Sequence, residues 1–324
     1  MVDTFFVGLE RLPRHAHTFL WADYVELLCL CSQNGLFSKG NLQAQEQEAE
    51  DVQSDMEDDI LSEPLTSEEV DDKIAARWDD IKSRLAARQT GLPGWPFELD
   101  GDVVRRKYDR KHPQHRLYVS LLIASSLRLC CKKRVPEVTS AFEEISFHWL
   151  RLSLASSWKV RPFGAHQNLP EAYTGTLWSK FEQLAEDLSC KLMKDSADYH
   201  RTNSGDGGID LVAWQNMGDK RGNMQVIFGQ CACSPDDWES KQLDVTPPSM
   251  EAHIQPQHPG AAYCFVPHDL MDNGRWDRAA HVKRTVLIDR RRLLHLFADL
   301  NSGVQLPNWT FLIEATDQVT QLAN

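Results

Sequence analysis

Two runs of apolar residues between positions 209 and 232 flank a polar, glycine-bearing segment, "NMGDKRGN". Apolar runs of this length and separation are typical of a β-hairpin. We therefore expect Leu211 and Ile227 to lie on adjacent antiparallel strands joined through that segment. Placing residues 208–232 in one helix, or in separate sheets, would contradict this prediction.

Each predicted strand carries one polar residue where its neighbours are apolar. Side chains alternate between the two faces of a strand, so Asp210 is expected to share a face with Val212 and Trp214. By the same alternation, Gln230 is expected to share a face with Phe228. A buried carboxylate needs a cation or a hydrogen-bond donor. The two groups therefore either bind the backbone or one another, or they hold a cation.

Helical periodicity dominates the first half of the chain. The spacing predicts helices over residues 17–36, 67–89, 114–131 and 135–155, with a short hairpin around Asp100-Gly101. After about residue 156 it predicts a helix (174–193), the hairpin, a short helix (235–243), two strands within 260–270 and 284–290, and a helix (291–300).

This order predicts an α/β fold, with a mixed sheet flanked by helices and a mainly helical N-terminal domain. The predicted organisation is a helical segment at 1–40, an acidic linker or insertion at 41–66, a helical domain at 67–160 and the α/β domain at 161–324.

The acidity of the chain belongs to one segment. The net charge is -12, but Glu46–Asp72 holds 13 acidic residues and no Lys or Arg, which leaves the remainder at +1. Its composition favours a solvated linker or insertion, and we expect residues 44–64 to be mobile or sensitive to proteases. The alternative is an acidic mimic of nucleic acid that shields a basic groove.

The eight cysteines do not form a recognisable disulfide framework, and most lie in apolar surroundings. There is no run of about 18 apolar residues and no signal-peptide pattern, so we expect a cytoplasmic protein without a membrane partner. The spacing of Cys231 and Cys233 is too short for the usual structural zinc site.

The helix before the hairpin supplies a third polar candidate. Glu182 lies about 100° from Phe181, at the edge of an apolar stripe, where a carboxylate can lean over the sheet. The alternative is an ordinary solvated helix glutamate.

These residues together resemble a known family. Phe181-Glu182 on a helix, the segment "GDGGID" ending at Asp210, and Gln230 at the end of the next strand are similar to the signature of Mrr-type restriction endonucleases, within the PD-(D/E)XK nuclease superfamily. The resemblance covers residues 170–245. It implies a restriction-endonuclease-like fold in which Glu182, Asp210 and Gln230 hold Mg²⁺ (or Mn²⁺) through hard oxygen ligands.

The chain departs from the family pattern at the catalytic lysine. The position two residues after Gln230 is Ala232, which has no charge. Either the lysine has migrated to the adjoining helix, where Lys241 is the candidate, or the site has decayed and the domain binds without cutting.

The resemblance implies a metal-dependent DNA endonuclease acting in bacterial defence against foreign DNA. In this hypothesis Glu182, Asp210, Gln230 and Lys241 are the catalytic residues, DNA is the substrate, and the helical N-terminal half contacts other protein subunits of a defence complex. The alternatives are a non-catalytic subunit that binds nucleic acid or a partner protein, and a plain interaction protein.

Overall fold

The computed structural model describes residues 5–14, 17–54, 67–164, 171–200, 202–272, 274–277 and 279–299. The helices are α1 (Thr18–Cys31), α2 (Lys39–Ser54), α3 (Ser67–Gly91), α4 (Pro113–Ser125), α5 (Val135–Ser153), α6 (Leu177–Asp187), α7 (Trp238–Lys241), α8 (Pro247–Glu251) and α9 (Arg290–Asp299). The strands are β1 (Leu36–Ser38), β2 (Phe97–Asp100), β3 (Val103–Arg106), β4 (Trp158–Pro162), β5 (Lys191–Leu192), β6 (Leu211–Gln215), β7 (Val226–Cys231), β8 (Ile254–Gln255), β9 (Ala261–Phe265), β10 (Met271–Asp272), β11 (Arg275–Trp276) and β12 (Val286–Ile288).

The described chain divides into two compact units. The first unit contains the described residues up to Val138 together with 268–277, and the second contains those of 139–267 and 278–297. The boundary therefore falls inside α5, earlier than the boundary at 160/161 that the sequence predicts. The reason is that α5 packs on the sheet of the second unit, where Trp149 meets Phe265 edge to face with ring centroids 5.7 Å apart.

Part of the predicted acidic linker is helical in the structure. Helix α2 covers the chain as far as Ser54, while residues 55–66 lie outside the described residues. Leu42 is fully buried, and Glu46, one helical turn later, forms an ion pair with Arg77 of α3. Charge composition alone missed this helix because one apolar side chain and one ion pair on the same face anchor it.

The first unit is built around α1 and a small antiparallel sheet of order β1-β3-β2. The predicted hairpin at Asp100-Gly101 is confirmed, since Asp100 pairs with Val103 across the turn. Helix α1 ends at Cys31, before the predicted end near Gly35, because Ser32 is already extended (φ -71°, ψ 142°); the left-handed Gly35 (φ 66°) then leads the chain into β1.

A buried charge network lies within the first unit. The Arg88 guanidinium lies 2.8 Å from Asp23 Oδ1, 2.9 Å from Glu26 Oε1 and 3.1 Å from Asp269 Oδ2. Burial would lower the pKa of Arg88, but the surrounding carboxylates raise it well above its ordinary value. Such a network is a structural device, because removing one member leaves buried charge uncompensated.

The second unit contains a five-stranded mixed sheet of order β12-β9-β7-β6-β4. Strand β6 pairs antiparallel with β4 and with β7, whereas β9 pairs parallel with β7 and with β12. The predicted hairpin is confirmed, with Ala213 opposite Ile227 and Leu211 opposite Gly229. The mixed α/β architecture is likewise as predicted.

Helices cover both faces of this sheet. On one face, Leu177, Phe181, Leu184 and Leu188 of the α6 segment pack in one buried core with Phe228 and other strand residues. On the other face, α5 packs through Trp149 on Phe265. The α6 helix begins where Thr176 accepts a hydrogen bond from the Ser179 amide, a typical N-cap contact. In the described part of the chain, no helix is long and apolar enough to cross a membrane.

Candidate functional site

A β-bulge at the start of β6 changes the direction of Asp210. The Asp210 amide donates to the Gly229 carbonyl over 2.9 Å, although Leu211 is the residue that faces Gly229. Asp210 and Leu211 therefore both lie opposite Gly229, and two consecutive residues opposite a single one define a β-bulge. In agreement, Ile209 and Val212 are three residues apart yet belong to the same α6-side core.

The bulge overturns the expectation that Asp210 shares a face with Val212 and Trp214. Strict alternation would have pointed the carboxylate towards α6. Instead, its Oδ1 lies beside Gly164 at the end of β4, where Glu143 of α5 also reaches.

Asp210 and Glu143 form an acidic pair around Gly164. A β-carbon built on Gly164 would lie 3.0 Å from Asp210 Oδ1 and 3.3 Å from Glu143 Oε2. The absence of a side chain at Gly164 therefore leaves room directly beside both oxygens. Asp210 is 4% exposed, whereas Glu143 is half-buried.

The surroundings of Asp210 disfavour its charged form. Burial is the largest cause that raises the pKa of Asp210 well above 3.8, and the negative charges of Glu143 and Asp206 raise it further. The Cys231 amide, which donates to Asp210 Oδ2 over 2.7 Å, and the charge of Lys241 oppose the shift. A pair of carboxyl groups held in this way gains from a bound cation.

Gln230 and Asp210 both bind the backbone of Cys231. Its side-chain Nε2 donates to the Cys231 carbonyl over 3.2 Å, while the Cys231 amide donates to Asp210. Gln230 is 3% exposed, and within the described residues its Oε1 has no hydrogen-bond partner. A buried amide oxygen without a donor is costly, so this atom is a candidate ligand for a cation.

The loop before Asp210 requires its glycines. Gly207 and Gly208 have φ of 61° and 85°, in the left-handed region. A β-carbon on Gly207 would approach the Phe181 ring to 3.0 Å, and one on Gly208 would approach Asp244 Cβ to 2.9 Å. Asp206 accepts a hydrogen bond from the Gly208 amide over 2.8 Å, as expected of a turn residue.

Glu182 does not join the acidic pair. It is exposed on α6, whereas its neighbour Phe181 is fully buried and packs against the loop at Gly207. The carboxylates that raise the pKa of Asp210 are those of Glu143 and Asp206. The helical carboxylate beside Asp210 is therefore Glu143, because α5, not α6, covers the sheet face onto which the bulge turns Asp210.

The sequence contained a signal for Glu143. The Phe-Glu dipeptide of the family pattern occurs on two helices, at Phe142-Glu143 and at Phe181-Glu182, and once more at Phe97-Glu98 on β2. In both helices the phenylalanine is fully buried, so the dipeptide itself does not say which glutamate turns towards the sheet.

Lys241 lies at the end of the short helix α7, within the predicted 235–243 segment. Its side chain is 44% exposed, and its ammonium lies 3.5 Å from Asp244 Oδ2. The positive charge of Lys241 acts on Asp210 and opposes the rise in its pKa. Ala232 is buried, with its amide bonded to the Phe265 carbonyl, and supplies no charge.

The donor set fits a hard divalent cation. The carboxylates of Glu143 and Asp210, which lie together around Gly164, are ligand types that Mg²⁺ or Mn²⁺ accepts, and the amide oxygen of Gln230 on the neighbouring strand is a ligand type of the same kind. Among the described residues, no cluster of three or more His, Cys, Asp or Glu side chains could hold a metal ion. That absence is compatible with a site of two carboxylates and one amide, because the Gln230 amide is not one of those four side-chain types. The Cys231 thiol beside it stays protonated, because burial and then the charges of Asp210 and Glu143 raise its pKa.

A second polar cluster, in the first unit, does not have catalytic geometry. Ser125 Oγ donates to Asp23 Oδ2 over 2.5 Å and contacts His268 Nδ1 at 2.7 Å. The serine therefore stands between the acid and the histidine, whereas a hydrolytic triad places the histidine in the middle. All three residues are buried, which is typical of a structural network.

No protein-family model, curated protein or solved structure matches the chain.

Proposed function

We propose that this chain is a metal-dependent DNA endonuclease with a restriction-endonuclease-like fold, similar to the Mrr-type enzymes of the PD-(D/E)XK superfamily. The observation that carries the proposal is the Glu143–Asp210 pair beside the side-chain-free Gly164. On the neighbouring strand, the buried Oε1 of Gln230 has no hydrogen-bond partner among the residues that the structure describes. The meander β4-β6-β7 continued by parallel strands, with helices on both faces, also supports it.

In this proposal Glu143, Asp210 and Gln230 hold Mg²⁺ or Mn²⁺, and Glu182 is not a ligand. A bound divalent cation supplies Lewis-acid activation of water and offsets negative charge on the scissile phosphate. The protein holds Asp210 in place through the Cys231 amide, and burial around Asp210 keeps its carboxylate fixed.

Lys241 is the cationic side chain proposed to serve the attacking water or the phosphate. Its ion pair with Asp244 is long (3.5 Å), and both side chains are partly exposed. The ammonium can therefore exchange Asp244 for a phosphate oxygen. Lys283 and Arg284, which are exposed in the same unit, are candidates for contacts with the DNA backbone.

The role follows from the resemblance. We propose action against foreign DNA in bacteria, with the first unit contacting other subunits of a defence complex.

The test is nicking of supercoiled plasmid DNA with Mg²⁺ or Mn²⁺. Wild-type protein is expected to nick, Asp210→Asn is expected to lose activity roughly 100-fold or more, and EDTA is expected to stop the reaction. Asp219→Asn is the matched control, because this carboxylate is bonded to Arg221 in the exposed hairpin turn. Equal rates in the wild type and Asp210→Asn would refute the proposal.

The second candidate function is a non-catalytic subunit that binds nucleic acid or a partner protein. The observation that favours it is the buried Ala232 where the family has a lysine. DNA binding that weakens with salt, without cleavage under any metal condition, would support this candidate.

A further inference from the structure

Lys180 of α6 is a fully buried lysine with an unusual set of acceptors. Its ammonium donates to the carbonyls of Phe163 (3.2 Å), Gly164 (3.3 Å), Ser204 (3.2 Å) and Gly205 (3.2 Å). A buried ammonium is costly unless its donors are satisfied, and here four carbonyl dipoles surround three N–H groups. Burial lowers the pKa of Lys180, and the charge of Asp206 opposes that shift.

Position and contacts distinguish Lys180 from a catalytic lysine. It lies one helical turn from Leu184, within the buried face of α6, and its side chain has no exposed surface. The four carbonyl oxygens around Nζ are enough to accept all three of its N–H groups, which leaves none for a water or a phosphate. Its contacts instead join two chain segments that are about 40 residues apart.

Both segments lead directly to the acidic pair. The amides of Phe163 and Gly164 donate to the Asp210 carbonyl over 2.7 and 3.1 Å, and Gly164 lies against the carboxylates of Asp210 and Glu143. On the other side, Gly205 begins the glycine loop that ends at Asp210.

We propose that Lys180 is a positioning residue, which ties the Phe163–Gly164 segment to the Ser204–Gly205 segment and so fixes the geometry of the Glu143–Asp210 pair. This inference rests on the proposed cation site. Lys180 acts on the cation through the backbone on both sides of Asp210 and makes no direct contact with it.

The test compares Lys180→Met, which removes every donor, with Lys180→Gln, which keeps two N–H donors without the charge. Lys159→Met, an exposed lysine on β4, is the matched control. Hydrogen exchange is measured at Phe163 and Gly164, and at the reference amides of Ala232 and Val266 in the same unit. Mn²⁺ affinity is measured on the same full-length proteins by titration calorimetry.

The expected result is graded. Lys180→Met exchanges roughly tenfold faster at Phe163 and Gly164, the size of one lost hydrogen bond, while the reference amides keep their protection. Its Mn²⁺ affinity falls roughly 10- to 100-fold, as for losses of groups that orient metal ligands. For Lys180→Gln, we expect exchange rates and an Mn²⁺ affinity between those of Lys180→Met and the wild type. If Lys180→Met does not fold, the comparison of Lys180→Gln with the wild type tests the proposal.

Three outcomes are decisive. Equal loss of protection across all four amides would overturn the inference, because it would mean a merely structural role. Unchanged Mn²⁺ affinity in variants that exchange faster at Phe163 and Gly164 would overturn it as well. If wild-type protein binds no Mn²⁺ but exchange accelerates selectively, Lys180 still positions Asp210, and the metal-dependent function fails.

Discussion

Asp210→Asn is expected to stabilise the second unit when no divalent cation is present. Asparagine keeps the shape of the side chain and an oxygen for the Cys231 amide, which donates over 2.7 Å. It removes a carboxylate that is 4% exposed and lies near Glu143. Desolvation of a buried carboxylate costs several kcal/mol, and one hydrogen bond to a charged group offsets about 1.5–3 kcal/mol. We therefore expect a gain of about 2 kcal/mol at pH 8.

The gain depends on pH in a defined direction. The folded-state pKa of Asp210 is raised above 3.8, chiefly by burial and next by Glu143. The contribution of Asp210 to the unfolding free energy of the wild type is therefore fully present below pH 3.8. It is lost as the pH rises through the raised pKa that Asp210 has in the folded protein. The difference between Asp210→Asn and the wild type should accordingly grow with pH and vanish near pH 4.

Native-state hydrogen exchange of the β6 and β7 amides measures this free energy, because it reports on the sheet itself in a chain with two units. Corrections for the intrinsic pH dependence of exchange apply to both proteins. Asp219→Asn is the control, since this exposed carboxylate has a pKa lowered by its hydrogen bond to Arg221 and should show no such gain. An Asp210→Asn protein that is less stable than the wild type at pH 8, or a difference that does not change with pH, would refute the reasoning.

Three further predictions follow from the same contacts. Gly164→Ala should weaken Mn²⁺ binding roughly tenfold or more in titration calorimetry, because the new methyl group falls 3.0 Å from Asp210 Oδ1 and 3.3 Å from Glu143 Oε2 and forces the two carboxylates to shift; unchanged affinity would contradict this. Arg88→Met should destabilise the first unit by about 3–5 kcal/mol in denaturant unfolding, because three buried carboxylates lose their shared cation; a change below 1 kcal/mol would be evidence against it. Lys241→Ala should lower single-turnover nicking roughly 100-fold while keeping DNA affinity, and Ala232→Lys in that variant should recover part of it; wild-type rates in Lys241→Ala would end the migrated-lysine proposal.

The sequence predicted α5, α6, α9 and four strands of the central sheet (β6, β7, β9 and β12) because their periodicity is local, but it did not predict the edge strand β4. Alternation around "NMGDKRGN" is sufficient to place β6 and β7 side by side, and the apolar stripe of α6 is sufficient to predict that helix. These features depend on neighbours in the chain, so a single sequence specifies them.

The site was harder to predict because it depends on long-range packing. A one-residue bulge turns Asp210 to the face covered by α5, and no alternation rule contains that bulge. Once Asp210 faces α5, the partner becomes Glu143, which is 67 positions before it in the chain. The sequence did contain one clue to Lys180, a lysine inside an apolar helical stripe.

The most direct test of the central claim is the comparison of Glu143→Gln with Glu182→Gln in single-turnover plasmid nicking with Mg²⁺. Both substitutions remove one carboxylate from a helix and keep the length of the side chain. We predict that Glu143→Gln lowers the nicking rate roughly 100-fold, whereas Glu182→Gln, at an exposed position, keeps the wild-type rate. The reverse result, with loss of nicking in Glu182→Gln and a wild-type rate in Glu143→Gln, would contradict the account.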